Sequence, residues 1–128
     1  MNFHAIIQCR FTSTRLPGKI LLPLEKNSTS LDILIKNLKL IKEIDKIILA
    51  VPDDAYKLNF KKISKKHAVN IYSPNCNTKN VLKRFYLTSK KFKSDNVIRI
   101  TSDCPFINVY VVKEMINFYK KKKINFLT

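Results

Sequence analysis

The chain alternates short runs of consecutive apolar residues with longer segments whose apolar residues recur every three or four positions. Short apolar runs are typical of strands that are buried on both faces, and the longer spacing is typical of amphipathic helices. Strands are predicted over 3–8, 46–51, 69–72 and 96–101, with a further strand over 124–127. Strand–helix alternation at this spacing predicts right-handed βαβ units and therefore an α/β fold with a mostly parallel sheet.

The predicted helices lie between the strands and begin near residues that favour helix caps. Ser28 or Ser30 is expected to cap the first helix. Apolar spacing and basic last turns predict helices from Leu31 to Ile41, from Pro52-Asp53-Asp54 to His67, from Thr78 to Phe92, and from Val109 to Lys123. The residues expected to face the core are Phe60, Ile63, Val81, Leu82, Phe85, Tyr86, Val112, Met115, Ile116 and Tyr119.

The composition fits a single cytoplasmic domain over residues 1–128. Hydrophobic residues make up 45% of the chain, which is enough for one packed core. We expect no membrane contact, because the sequence has neither a long apolar segment nor the features of a secretory signal. Cys9, Cys76 and Cys104 share no CxxC spacing, which predicts free thiols rather than disulfides or a zinc site.

The formal net charge of +16 raises the question of a polyanionic partner. Only four of the 25 basic residues are Arg, and the chain is also rich in Ile and Asn. This combination is typical of codon bias in an AT-rich genome, so we interpret most lysines as solvated surface residues. A polyanion-binding surface and an acidic region elsewhere in a longer chain are the alternatives. A nucleic-acid partner is disfavoured, because Phe60, Phe85 and Tyr119 lie on apolar helix faces rather than on a stacking surface.

Two loops follow strands at the sheet edge where parallel α/β folds bind ligands. The first, 9–23, places three cations close together with small hydroxyl residues between them: Arg10, Ser13, Thr14, Arg15 and Lys19. Forked guanidinium groups and an ammonium group suit the oxygens of a polyphosphate. The loop contains neither the GxxxxGK[ST] nor the GxGxxG motif. A basic surface loop without a ligand is the plainer alternative.

The second loop follows the predicted strand over 96–101 and contains Asp103 as a lone carboxylate. A carboxylate beside a triphosphate commonly holds Mg²⁺, which also contacts phosphate oxygens. We therefore expect Asp103 to be a metal ligand, the alternative being an aspartate that caps a helix or a turn.

The stretches IIQCRFTSTRLPGKILLPL and NVLKRFYLTSKKFKSDNVIRITSDCPFI resemble the opening and middle segments of cytidylyltransferases that activate acidic sugars. The spore-coat polysaccharide type is the nearest match, and the 3-deoxy-manno-octulosonate and acylneuraminate cytidylyltransferases are more distant. The resemblance implies a Rossmann-like, GT-A-like nucleotidyltransferase domain, a three-layer αβα sandwich of which 1–128 would be the N-terminal, nucleotide-binding portion. It also implies Mg²⁺-dependent transfer of CMP from CTP to an acidic sugar with release of pyrophosphate, for surface polysaccharide or glycan biosynthesis.

The resemblance also implies roles for individual residues. Those implied for nucleotide binding are Arg10, Ser13, Thr14, Arg15, Lys19 and, by a looser match, Asn80. Arg10 and Lys19 are implied as catalytic charges, and Asp103 as the metal ligand. Thr12 and Ser102 depart from the family pattern, since relatives commonly have Gly at both positions.

The family's domain is longer than this chain, and its other half supplies the sugar pocket, a further metal carboxylate and the surface of a homodimer. The chain is therefore expected to be truncated relative to that domain, and a homodimer is expected only with the full-length domain. A non-catalytic nucleotide-binding fragment, a glycosyltransferase that uses nucleotide sugars, and a basic nucleic-acid-binding domain are the alternative functions.

Overall fold

The computed structural model describes residues 1–9, 23–25, 28–53, 57–77, 79–101, 106–122 and 127. The strands within these ranges are β1 (Phe3–Gln8), β2 (Pro23–Glu25), β3 (Ser28–Thr29), β4 (Lys46–Ala50), β5 (Asn70–Tyr72) and β6 (Asn96–Thr101). The helices are α1 (Ser30–Lys39), α2 (Lys57–His67), α3 (Val81–Lys91) and α4 (Val109–Lys122). The bounds predicted for β1 and β6 are confirmed, and those predicted for β4 and β5 differ by one residue.

Four of these strands form a parallel sheet in the order β5-β4-β1-β6. Ala5 of β1 is the register partner of Ile47 in β4 and of Ile98 in β6, so β1 lies in the interior of the sheet. The predicted α/β class and parallel sheet are confirmed. β2 and β3 form a separate antiparallel pair, which was not predicted because part of it lies in the segment interpreted as a loop.

Both faces of the parallel sheet are covered by helices. On one face, Phe3, Ala5 and Ile7 of β1 pack in a core with residues of α1, α2 and α4. On the other face, Ile6 of β1 packs with Phe85 of α3. This three-layer arrangement buries consecutive residues of β1 on opposite faces, which explains why Ala5, Ile6 and Ile7 are all apolar instead of alternating with polar residues.

Thr29, rather than Ser28 or Ser30, caps α1. The Thr29 hydroxyl accepts a hydrogen bond from the Asp32 backbone N–H at 3.2 Å, and the Asp32 carboxylate accepts one from the Thr29 backbone N–H at 2.8 Å. Such a reciprocal capping box needs a cap residue three positions before an acidic side chain. In the run of three hydroxyl residues, only Thr29 has that spacing to Asp32.

The buried face of α3 differs from the predicted one. Leu82 and Tyr86 are 79% and 59% exposed, whereas Arg84, Phe85 and Thr88 are buried. The Thr88 hydroxyl donates to the Arg84 backbone carbonyl at 2.7 Å, which satisfies this polar group inside the helix. Burial of these two polar residues rotates α3 away from the orientation that an apolar-only face would predict.

The other core predictions that fall on described helices agree better with the structure. Phe60, Ile63 and Ile116 are buried, and Val112 and Tyr119 pack against the same core while partly exposed. No described helix combines the length and the apolar character needed to cross a bilayer. The strand predicted over 124–127 falls almost entirely outside the described residues.

Candidate functional site

The carboxyl ends of β1 and β6 lie side by side. Gln8, the last residue of β1, is the register partner of Thr101, the last residue of β6. From β1 the chain continues through α1, on one face of the sheet, to β4. It later reaches β6 through α3, on the opposite face. β4 and β6 therefore lie on opposite sides of β1, and the strand order reverses between β1 and β6. Ligands of open α/β sheets bind at such a reversal, outside the carboxyl ends of the strands. The two loops selected from the sequence start from this point.

The side chains predicted to contact nucleotide and metal fall mostly outside the described residues. These are Arg10, Ser13, Thr14, Arg15 and Lys19 in the first loop and Asp103 in the second. The described strand ends show where the loops begin: Cys9 follows β1 directly, and Asp103 lies two residues beyond Thr101 in the sequence. The roles of these six residues stay predictions.

Cys9 anchors the first loop to the sheet. Its backbone N–H donates to the carbonyl of Ala50 at 3.0 Å, and its thiol lies 3.6 Å from the carbonyl of Ile7. The side chain is fully buried, and this burial raises the pKa of the Cys9 thiol far above its ordinary value. A neutral buried thiol is not a nucleophile, so Cys9 has a structural role at the base of the site.

Asn80 lies on the same edge, because the parallel strand β5 ends there and the segment after it leads into α3. Its Oδ1 accepts a hydrogen bond from the Lys83 backbone N–H at 3.1 Å, which makes Asn80 the N-cap of α3. The residue is exposed. The structure thus assigns Asn80 a capping role, and its predicted contact with nucleotide stays a prediction.

Arg84 is a cation at this edge that the sequence analysis missed. It lies one turn into α3 and is only 2% exposed, and its positive charge acts on the buried Cys9 thiol. A guanidinium is rarely buried unless it is paired, so the burial of Arg84 beside Cys9 marks it as a candidate residue of the site. The sequence did contain one indication of its burial. Arg84 and Thr88 are four residues apart, so they lie on the same side of the helix.

The described residues away from the carboxyl ends of the strands form a less convincing candidate for a ligand site. Among them, no three His, Cys, Asp or Glu side chains converge as metal ligands. A cavity of about 250 Å³ lies at the amino ends of β4 and β5, with Lys39, Asp45 and Lys46 among its lining residues. It opens at the edge of the sheet opposite to the two loops, so it is separate from the predicted nucleotide site.

Comparison with known proteins agrees with this geometry. Over 115 residues, 32% of positions are identical to the spore coat polysaccharide biosynthesis protein SpsF of Bacillus subtilis, covering 87% of this chain and 47% of that protein. A cytidylyltransferase structure from Leptospira borgpetersenii superposes with a TM-score of 0.87 at 28% identity, covering 96% of this chain and 50% of that chain. The structure of CMP:2-keto-3-deoxy-manno-octonic acid synthetase complexed with CTP shares the fold, with a TM-score of 0.80 at 16% identity over 96% of this chain and 49% of that one.

The chain thus spans about half the length of the relatives it matches. The Rossmann-like nucleotidyltransferase fold expected from the resemblance is confirmed for that half. A family model described as Cytidylyltransferase matches residues 4–128. The chain therefore belongs to the cytidylyltransferase family.

Proposed function

We propose that the chain binds CTP at the carboxyl ends of β1 and β6, as the nucleotide-binding half of an enzyme that transfers CMP to an acidic sugar. The observation that carries this proposal is the pairing of Gln8 with Thr101. The basic loop follows Gln8 and the loop with Asp103 follows Thr101, so the two loops start from adjacent positions. The solved relative that is named as complexed with CTP supports the nucleotide. The Bacillus relative, named for spore coat polysaccharide biosynthesis, supports a sugar as the acceptor.

In the proposed reaction, an oxygen of the sugar attacks the α-phosphate of CTP and pyrophosphate leaves in line. Negative charge grows on the transferring phosphate and on the leaving group. Arg10, Arg15 and Lys19 would offset that charge, while Ser13 and Thr14 would donate hydrogen bonds to phosphate oxygens. Phosphoryl transfer of this kind needs little covalent chemistry from the protein, so positioning and electrostatic stabilisation are the main contributions.

Asp103 is the proposed ligand for Mg²⁺. A carboxylate oxygen is the ligand type that this hard cation prefers. In the sequence, Asp103 follows the end of β6 by two residues, and the last residue of β6, Thr101, is the register partner of Gln8, which precedes the basic loop. When bound, Mg²⁺ would reduce the charge on the phosphate oxygens and help to orient them. Free thiols at Cys9 and Cys76 suit the reducing cytoplasm, where we propose that the reaction takes place.

Nucleotide binding is tested by the change in melting temperature on adding CTP with MgCl₂. We expect CTP to raise the melting temperature of the wild-type chain, because a ligand that binds only the folded state stabilises it. Lys19→Ala and Asp103→Asn should abolish or strongly reduce that rise. Lys61→Ala, which removes the same charge from the exposed face of α2, should retain it. Absence of a rise in the wild-type chain at millimolar CTP would overturn the proposal.

A non-catalytic nucleotide-binding role is the second candidate, and it is favoured by the fact that the chain spans about half of its relatives. This candidate predicts CTP binding without pyrophosphate release for any sugar acid offered. An assay of pyrophosphate release with 3-deoxy-manno-octulosonate, N-acetylneuraminate and other sugar acids separates the two. Pyrophosphate release by the 128-residue chain would exclude the non-catalytic role.

A further inference from the structure

The four described helices all end in basic residues. Their last turns contain Lys36 and Lys39 in α1, two lysines at 65–66 in α2, two at 90–91 in α3 and three at 120–122 in α4. In a parallel sheet, a helix that follows a strand runs back towards the amino end of that strand. The topology therefore collects these lysines on the side of the sheet opposite to the predicted nucleotide site.

Contacts between the helix ends and the sheet confirm this placement. The Lys120 ammonium lies 5.0 Å from the centre of the Phe3 ring, at the start of β1. The Asn2 carboxamide donates to the carbonyl of Lys93, two residues beyond α3, at 3.1 Å. The ends of α1 and α2 both border the cavity at the amino ends of β4 and β5. All four helix ends thus lie around the amino ends of the strands.

Three more lysines belong to the same surface. Lys42 lies between α1 and β4, Lys46 begins β4, and Lys93 follows α3. These three side chains and the lysines of the four last turns are all exposed. We call this set of lysines the basal face.

Few acidic groups offset this charge within the described part of the chain. The Asp45 carboxylate accepts the backbone N–H of Phe3 at 2.7 Å, and the Asp95 carboxylate accepts the backbone N–H of Asn2 at 2.8 Å. Both carboxylates are therefore already used to hold the start of β1. Glu43 adds one further negative charge, in the loop between α1 and β4. The basal face is strongly positive as a result.

Neither codon bias nor the helix dipole explains this distribution. Codon bias would add lysines to all solvated surfaces alike, whereas the basal face concentrates them on one side of the sheet. The helix dipole favours basic residues in the last turn of a helix. It does not account for Lys42, Lys46 and Lys93, which lie outside the helices. A partner with negative charge accounts for both groups of lysines.

An exposed apolar side chain lies among these cations. Leu40 is the C-cap of α1 and is 69% exposed, and it lies between Lys39 and Lys42 in the sequence. Exposure of a large apolar side chain to water is unfavourable by about 1.5–3 kcal/mol relative to its burial. Apolar groups within a basic surface are typical of proteins that bind the surface of a bilayer.

We propose that the basal face binds the anionic headgroups of a phospholipid bilayer and that Leu40 enters the interfacial region of that bilayer. Clusters of lysines are attracted to the cytoplasmic leaflet, because its acidic lipids give it a negative surface potential. The expectation of no membrane contact rested on the lack of a long apolar segment and of a secretory signal. Peripheral binding requires neither of these features.

The same surface suits a lipid better than a nucleic acid. No described arginine belongs to the basal face, although the forked guanidinium group is the preferred partner of nucleic-acid phosphates. The aromatic ring nearest to it, Phe92, packs edge-on against Tyr72 and has the Lys46 ammonium 5.8 Å from its centre. That ring is not available for stacking on a base. An exposed leucine also has no counterpart in a phosphate backbone.

Bilayer binding through this surface would leave the nucleotide site open. The basal face lies at the amino ends of the strands, whereas the proposed CTP site lies at their carboxyl ends. A chain bound through its basal lysines therefore turns the proposed site away from the lipid. Soluble CTP and a soluble sugar would still reach it.

Sedimentation with sucrose-loaded vesicles tests the proposal. Vesicles of phosphatidylcholine alone are compared with vesicles that also contain about 30% phosphatidylglycerol, in about 0.1 M NaCl. We expect the chain to sediment with the anionic vesicles and to stay in solution with the neutral ones. Raising NaCl to about 0.5 M should release most of the bound chain, because salt screens the attraction. No nucleotide is present, so the result is independent of the proposed binding of CTP.

Two combined variants separate the basal face from net charge. The first joins Lys42→Gln, Lys65→Gln, Lys121→Gln and Lys122→Gln, and it should bind anionic vesicles about tenfold more weakly or less. The control joins Lys61→Gln, Lys62→Gln, Lys79→Gln and Lys83→Gln, which remove the same charge elsewhere, and it should bind within about twofold of the wild type. All eight positions are exposed, so both variants should melt within about three degrees of the wild type.

A fluorescent variant tests the contact of Leu40. The chain has no tryptophan, so Leu40→Trp introduces a single indole at the basal face. Its emission should shift to shorter wavelength by several nanometres when anionic vesicles are added, because the indole leaves water for the bilayer interface. Leu82→Trp is the matched control, since Leu82 is 79% exposed near the start of α3. Its emission should stay unchanged.

Three results would overturn the proposal. Equal loss of vesicle binding in the two combined variants would assign the binding to net charge alone. Unchanged emission of Leu40→Trp on vesicles that bind the chain would place the contact on another surface. Failure to bind anionic vesicles, together with binding of single-stranded poly(U) that the first combined variant loses, would assign the basal face to a nucleic acid.

Discussion

The Nε2 of His67 lies 2.6 Å from Oδ1 of Asp32, which connects the last residue of α2 to the first turn of α1. Both side chains are buried. The other carboxylate oxygen of Asp32 accepts the backbone N–H of Thr29, and the Lys66 ammonium lies 3.3 Å from Oδ1. One buried carboxylate therefore caps α1 and holds two helices together on the same face of the sheet.

Asp32→Asn should lower the free energy of unfolding at pH 7 by about 2–3 kcal/mol, because it leaves His67 without its charged partner and weakens the capping box. Urea unfolding measures this change. Asp53→Asn is a matched control, since the Asp53 side chain is 77% exposed and lies 3.4 Å from the Lys57 ammonium. An exposed pair of this kind should contribute less than about 0.5 kcal/mol. Equal effects of the two substitutions would contradict the assigned role of Asp32.

Acid should weaken the same contact. Burial alone would raise the pKa of Asp32, but hydrogen bonds from Thr29, His67 and Lys66 outweigh it and lower the pKa from 3.8 to about 2. A carboxyl whose pKa is lower in the folded state stabilises the protein above about pH 4 and loses this contribution as the pH falls to 2. The shift corresponds to about 2 kcal/mol. Urea titrations between pH 5 and pH 2 should show this loss, and Asp32→Asn should remove it.

The outlines of the sheet could be predicted from sequence because β1 and β6 are short segments rich in apolar and β-branched residues with clear ends. Their adjacency could not be predicted with the same certainty, since strand order depends on tertiary packing rather than on local pattern. That adjacency places the strand ends that precede the basic loop and Asp103 side by side, so the candidate site needed the fold as well as the motifs.

Two details were missed for different physical reasons. The cap of α1 was assigned to Ser28 or Ser30 because all residues from 28 to 30 are good caps, although only Thr29 has Asp32 at the spacing of a capping box. Burial of Arg84 could not be inferred from residue type, because arginine is usually exposed and its burial depends on partners that are distant in sequence.

Asn80→Ser separates the two roles of Asn80. Serine caps helices about as well as asparagine, so the free energy of unfolding should change by less than about 0.5 kcal/mol. If the carboxamide contacts nucleotide, as predicted, the dissociation constant for CTP should increase several-fold in calorimetric titration. Asn108→Ser is the matched control, because Asn108 Oδ1 accepts the Val111 N–H at 3.1 Å at the start of α4. Unchanged CTP affinity in Asn80→Ser would restrict Asn80 to capping.

Arg84→Met tests whether the buried guanidinium supports the nucleotide site. Methionine fills much of the same volume, but it leaves the polar partner of a buried guanidinium unpaired, so the free energy of unfolding should also fall by about 1–3 kcal/mol. We expect the dissociation constant for CTP to increase by about tenfold, because a cation close to the base of the basic loop would be lost. Arg99→Met removes the same charge from an exposed position on β6 and should change CTP affinity less than twofold. Equal losses in the two variants would indicate a general effect of net charge.

α2 and α3 are each followed, within two residues, by a residue that has a positive φ angle and is not glycine. Ala68 has φ 53° and Lys93 has φ 51°. At the end of α2, the Val69 N–H donates to the Ser64 carbonyl at 3.0 Å and the Ala68 N–H donates to the Lys65 carbonyl at 3.3 Å. This pair of hydrogen bonds defines a Schellman motif, in which the left-handed position favours glycine.

Ala68→Gly should therefore raise the free energy of unfolding by about 0.5–1 kcal/mol. Removing the Cβ relieves about 1–2 kcal/mol of steric cost in the left-handed conformation, and part of this gain is offset by the greater freedom of glycine in the unfolded chain. Lys93→Gly should behave in the same way at the end of α3. Leu40→Gly is the control, because Leu40, the C-cap that follows α1, has φ −76° and glycine there should destabilise the protein. Urea unfolding of the three variants measures these differences, and stabilisation by Leu40→Gly would contradict the conformational explanation.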